Sequence, residues 1–202
     1  GVYVNSPYTL TYAIGLVSLV NIFTITILSA QIVLREKDAG FDAILYTTPM
    51  PAKHFLLSRF SLILLITLVS FFLFVTGFMA GHLLAGNNRE KFMDFHAINY
   101  LYPFFVLAVP NALLCTAIVS TAGWLTKNKM VIYLSGLFIY ILYMAVSLYS
   151  NSPLFANASP VSAGMMSMMA KLDPFGMAAF FEQTKTWTPL LRNTQLMVLE
   201  GN

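Results

Sequence analysis

Charge is what this chain has least of: Lys, Arg, Asp and Glu make up 9% of its 202 residues, against 58% hydrophobic ones. With a mean hydropathy of +0.74, it lies far outside the averages for soluble domains. A soluble core cannot use that much apolar surface. The scarcity is also patterned. No Asp, Glu, Lys or Arg occurs from Gly1 to Leu34, from Phe60 to Asn88, from Ala97 to Thr126 or from Met130 to Ala170. Each gap exceeds the roughly 20 apolar residues that cross a hydrocarbon core about 30 Å thick.

Other absences narrow the function. A single cysteine, Cys115, excludes an internal disulfide and reads as a small core residue in mid-span. The chain has no His-Glu-x-x-His, no Gly-x-Ser-x-Gly and no Walker phosphate loop. Neither hydrolysis nor ATP binding is therefore legible in it, and no catalytic residue is expected. The apolar runs lack the charged residue that a proton or ion relay normally uses. The net charge of +3 is small and sits in loops, so nucleic acid is not an expected partner. His54, His82 and His96 fall in different loops, and no metal site or cofactor is expected from them. The run Met165-Met166-Ser167-Met168-Met169 has thioethers that would suit Cu(I). With no Cys or His nearby, it reads instead as an adaptable, amphipathic external helix.

What is present is an all-α membrane protein, because lipid offers backbone groups no partner outside their own helix. Four spans are expected, at about 10–34, 60–80, 101–125 and 130–149, in one transmembrane domain covering residues 1–202. Lys and Arg favour short cytoplasmic loops. Arg35, Lys37, Lys53, Arg59, Lys127 and Lys129 lie on one side, and on the other only Arg89 and Lys91 lie within reach of a span. Loops 35–59 and 127–129 are thus expected in the cytoplasm, and the tail 150–202 outside. Tyr8, Tyr12, Tyr100, Tyr102, Trp124 and Tyr149 stand near span ends, where amphipathic rings favour the interface. A first residue placed outside, without an initiator Met, leads to the expectation of a further span upstream.

Smaller features carry expectations of their own. Gly77 and Gly81 have the spacing that lets helices approach closely. Pro103 and Pro110 would bend the third span, with Asn111 bonding a freed carbonyl. Asn21 and Gln31 read as helix-to-helix hydrogen bonding, with substrate contact the other reading. In the tail, Met177 to Thr186 is expected as a short helix, and Phe180, Phe181 and Trp187 as residues resting on the membrane surface.

The most informative stretch is REKDAGFDAILYTTPMPAKHFLLSR, from Arg35 to Arg59. Phe41, Ile44, Leu45 and Thr48 follow helical spacing, and Pro49 and Pro51 end that helix and open the next. On the pattern alone, this is an interfacial helix on the headgroups or a docking helix for a cytoplasmic partner. Arg35-Glu36-Lys37-Asp38-Ala39-Gly40 followed by Thr47-Thr48-Pro49-Met50-Pro51 resembles the cytoplasmic loop between the second and third of six spans in type-2 ABC transporter permeases. That resemblance implies a transport subunit driven by a separate ABC ATPase, which would supply the ATP and Mg chemistry. It also implies a second permease copy and a bacterial inner membrane. By the same resemblance, Glu36, Gly40, Phe41, Ile44 and Leu45 form or orient a coupling helix seated in a cleft of the ATPase, and Pro49 and Pro51 fix its angle to the next span. The spans themselves suit lipids, peptides or drugs alike as substrate.

A second resemblance lies in Lys171-Leu172-Asp173-Pro174-Phe175-Gly176, Trp187-Thr188-Pro189 and Arg192-Asn193-Thr194. This tail is similar to the external segment of a bacterial subgroup whose permease is continued by an aminopeptidase N-like zinc peptidase domain. Asp-Pro and Thr-Pro are equally ordinary turn and helix-start chemistry. The alternative functions are the membrane anchor of such a peptidase and a sensory membrane module without energy coupling.

Overall fold

The computed structural model describes residues 1–41, 51–84, 90–149, 164, 173 and 175–197. The regular structure of these residues is all helical, without a strand among them. The long helices are α1 (Pro7–Val33), α3 (Ala52–Leu83), α5 (Val109–Thr126) and α6 (Lys129–Tyr149). Shorter ones are α2 (Arg35–Asp38), α4 (Ile98–Pro103), α7 (Met177–Thr184) and α8 (Pro189–Thr194). A π-helical stretch, Phe104–Ala108, joins α4 to α5.

Three helical segments, Pro7–Val33, Ala52–Gly81 and Ile98–Thr126, are long and apolar enough to cross a membrane, which makes this a membrane-embedded protein. The expected fourth span coincides with α6. Its apolar stretch Lys129–Ala145 is shorter than the other three. Helix ends and charge boundaries also differ. α3 begins at Ala52, directly after Pro51, although its charge-free run begins only at Phe60. Lys53, His54 and Arg59 are compatible with helical backbone, so hydropathy locates the apolar stretch and Pro51 locates the helix start.

Local chemistry explains the element boundaries. Ser6 caps α1, its Oγ accepting from Thr9 N at 3.3 Å, with Pro7 in the first turn. α2 ends at Gly40 in the left-handed region, φ +67°. Gly40 N donates to Lys37 O and Phe41 N to Glu36 O, the double closure of a Schellman motif that favours glycine. Asn128 Oδ1 accepts from Met130 N at the start of α6. Pro103 and Pro110 flank the π stretch, and neither supplies a backbone N–H. The expected bend is thus taken up as a wider helical turn.

α1 is the centre of the bundle and packs against α3, α4, α5, α6 and α8. Within the chain, close approach is made at Gly15, Gly123 and Gly136. Gly136 of α6 lies against Thr26 of α1, Gly123 of α5 lies against Val33 and Ile132, and Gly15 of α1 seats the Met177 sulfur. Gly77 and Gly81 have nothing within 4 Å of where a Cβ would stand. That glycine pair therefore mediates no contact among the described residues.

The tail corrects an expectation. Phe180 and Phe181 do not rest on a surface; they are buried, with Phe175 and Met177, in the same cluster as Leu19, Ile22 and Cys115. Tyr8 stacks on Phe180 with ring centroids 5.2 Å apart, and Tyr12 meets Phe181 at 5.9 Å. The Arg192 guanidinium lies over Tyr8 at 4.7 Å. Asn111 also acts at longer range than expected. Its Nδ2 donates to Ser18 Oγ at 3.0 Å and to Phe175 O at 3.4 Å, tying α5 to α1 and to the tail rather than to its own helix. Asn193 Oδ1 accepts from Tyr3 N, closing the tail onto the first residues.

Asp173 holds the start of this tail. Its carboxylate accepts from Phe175 N at 2.8 Å and from Ala178 N at 2.6 Å. Burial raises its pKa above the ordinary 3.8, and the backbone N–H donors offset that only in part. A carboxyl group with a raised pKa in the folded state binds protons better folded than unfolded. Its contribution to docking is therefore largest below its ordinary pKa and is lost as pH rises through the folded value. The melting temperature of the wild type relative to Asp173→Asn is expected to fall from about pH 4 towards neutrality. A difference independent of pH would contradict the assignment.

Candidate functional site

At one end of the bundle the C-terminus of α1, the start of α3 and the α5–α6 turn meet, and a set of charges ties them together. Glu36 of α2 pairs with Arg59 of α3. Asp38 pairs with Lys129 at 2.6 Å, and Lys37 Nζ donates to Lys127 O at 2.7 Å. One helical turn, Arg35–Asp38, is thus fastened to both neighbouring helix ends. The two ion pairs differ in environment. The Glu36 and Arg59 side chains are 17% and 18% exposed, whereas Asp38 and Lys129 are close to half exposed. Only the first pair is shielded enough to contribute well beyond a surface ion pair. Arg59 also lies over the Phe55 ring, 5.2 Å from its centroid.

The residues singled out from the sequence divide across this junction. Glu36 lies inside it as the partner of Arg59. Gly40 ends α2, and Phe41 follows, 58% exposed. Pro51 is exposed immediately before α3. Ile44, Leu45 and Pro49 lie outside the described residues, as does the methionine run 165–169. Sequence reasoning did not single out Arg59, Asp38, Lys127 and Lys129 as contacts. The available signal was opposite charge at three span ends already expected on the same side.

In comparisons with protein-family models, curated proteins and solved structures, no match is found. The functional reading therefore rests on the chain's own chemistry. Among the described residues there is no group of three or more His, Cys, Asp or Glu placed to hold a metal ion. Of the two polar span residues read as helix-to-helix contacts, Gln31 is exposed and Asn21 half-buried. The bond that ties α1 to α5 is made by Ser18 and Asn111.

What the junction can do is mechanical. Phe41 leaves α2 into the loop, and α3 begins where that loop ends. α2 is tied to α1 through the chain, to α3 through Glu36 and Arg59, and to the α5–α6 turn through Lys37 and Asp38.

Proposed function

We propose that this chain is the membrane-spanning permease subunit of a type-2 ABC transporter, moving its substrate with ATP hydrolysed by a separate ATPase subunit. The observation that carries the reading is the charged junction at α2, from which the loop with the permease-like sequence springs. A coupling element needs a stiff connection to several spans at once, and three polar contacts from one helical turn supply it. In this reading α6 is a fourth span, loops 35–59 and 127–129 face the cytoplasm of a bacterial cell, and a second permease copy completes the pathway. Glu36 and Gly40 orient the coupling helix, Phe41, Ile44 and Leu45 seat it in the ATPase, and Pro49 and Pro51 set its angle to α3. This chain contributes no catalytic residue, and ATP and Mg belong to the partner.

The test is co-purification of an ABC ATPase with the chain and its ATP turnover in reconstituted membranes, comparing wild type with Phe41→Ala, Leu45→Ala and Leu45→Glu. Each alanine change is expected to cost about 1–3 kcal/mol of association. The glutamate change is expected to abolish association by burying an unpaired charge. A helix that merely rests on lipid would instead lose roughly 25 cal/mol per Å² of apolar contact and leave any ATPase unaffected. Wild-type association and turnover in all three variants would remove the support for the reading.

A further inference from the structure

Four of the eight buried Ser and Thr hydroxyls in these helices, including that of Thr184, are satisfied by the carbonyl three or four residues back. Thr11 donates to Pro7 O, Ser18 to Gly15 O and Thr26 to Ile22 O, at 2.6–2.7 Å. Four hydroxyls depart from this. Ser29 Oγ, Thr67 Oγ1, Thr116 Oγ1 and Ser120 Oγ have no hydrogen-bond partner among the described residues, and all four residues are 0% exposed. Buried hydroxyls in a native bundle are satisfied as a rule, so four exceptions require an explanation.

The four hydroxyls share one level of the bundle. α1 and α5 run parallel, and two contacts set their register: Ser18 bonds Asn111 at a sequence separation of 93, and Lys37 bonds Lys127 at a separation of 90. Ser29 and Ser120, 91 apart, fall between those separations and so stand at the same height along the two helices. α3 runs antiparallel, and its register to α1 is set by Glu36 and Arg59. At 1.5 Å per residue, Ser29 lies roughly 10 Å from Glu36, and Thr67 about 12 Å from Arg59. Thr116 is one turn further along α5 on the Ser120 face, and Trp124, whose Nε1 is also unpartnered, is one turn nearer the charged end. α1, α3 and α5 pack against one another pairwise.

We propose that Ser29, Thr67, Thr116 and Ser120 hold a short file of water between α1, α3 and α5, continued towards the charged end by Trp124. Water suits the site because each hydroxyl offers both a donor and an acceptor, and a buried water takes two to four such partners. The charge-free runs provide no carboxylate at this level to offset the desolvation of a cation. A hydrated seam gives the three helices exchangeable partners, so that one can shift along another without leaving hydroxyls unpaired. This assignment stands on the geometry of the bundle and is independent of the transport reading.

The test is X-ray radiolytic footprinting of the lipid-reconstituted protein, in which a bound water generates hydroxyl radicals in place. Cys115 is the reporter: it is adjacent to Thr116, 1% exposed and in the apolar cluster around the seam. Met177, 0% exposed in the same cluster, is the dry reference with comparably reactive sulfur. Oxidation of Cys115 that resists a bulk radical scavenger is expected to exceed that of Met177 several-fold. It is expected to drop to the Met177 level in Ser29→Ala/Thr67→Val/Thr116→Val/Ser120→Ala, and partway in Thr116→Val alone. Cys115 oxidation no higher than that of Met177 in the wild type overturns the proposal even if the fourfold variant does not fold. Oxidation unchanged in Thr116→Val together with Ser120→Ala also overturns it.

Discussion

Gly136→Ala is expected to destabilise the bundle by about 1–3 kcal/mol, and Gly136→Leu by more. A Cβ on Gly136 would overlap the Thr26 hydroxyl and stand 2.9–3.0 Å from its Cγ2 and Cβ. Thr26 cannot yield cheaply. Its hydroxyl is held by Ile22 O at 2.7 Å, and its β carbon moves only with the backbone of α1. The added methyl must therefore push α6 away from α1, along the contact that buries Ile139 and Tyr143. Gly77→Ala is the control, because nothing lies within 4 Å of its Cβ position and its effect should stay within about 0.5 kcal/mol. The comparison is read from thermal unfolding in one lipid-detergent mixture. Equal shifts for the two variants would mean that α1 and α6 are not in the contact described.

Breaking the Glu36–Arg59 pair is expected to have the second-largest effect. Arg59→Gln leaves a shielded carboxylate on α2, and Glu36→Gln leaves a shielded guanidinium near Arg35. Because both side chains are less than a fifth exposed, a double-mutant cycle should give a coupling energy of about 1.5–3 kcal/mol, as for hydrogen bonds to charged groups. The same cycle on Asp38 and Lys129, which are close to half exposed, should give only about 0.2–1 kcal/mol, and that value should shrink with salt. The order of the two energies is the test. If Asp38–Lys129 matched or exceeded Glu36–Arg59, the latter would not be the principal fastening of α2. In the transport reading, Arg59→Gln should also uncouple ATP turnover from substrate while leaving ATPase association near that of the wild type, a pattern distinct from the association loss expected for Leu45→Glu.

Much of the membrane architecture was legible because hydropathy acts on whole segments. Four charge-free runs identified the apolar helices, and the placement of Lys and Arg grouped Arg35, Lys37, Lys53, Arg59, Lys127 and Lys129, several of which the fold gathers at one end. Pro51 and Thr188-Pro189 marked helix starts, since a proline in the first turn forfeits a hydrogen bond the helix does not make. Gly40 was identified through a permease resemblance as part of an interface. In the fold it closes α2 with a positive φ. The pairing of Glu36 with Arg59 was not legible, because many cations flank the spans and helix register selects among them.

The sequence by itself thus determined that this is an all-helical, membrane-embedded chain whose charges lie between its long apolar runs. Those properties follow from transfer free energies and local backbone chemistry, both of which act within a turn or a span. Only the tertiary structure decided which glycines mediate helix contacts, that Phe180 and Phe181 are buried core residues rather than surface anchors, and that Asn111 reaches Ser18 and Phe175. It also decided which hydroxyls lack a protein partner. For the glycines, Asn111 and the hydroxyls the physical reason is shared. An apolar helix in lipid carries little amphipathic signal to say which face meets protein, so its partners are chosen by shape, register and a few polar contacts.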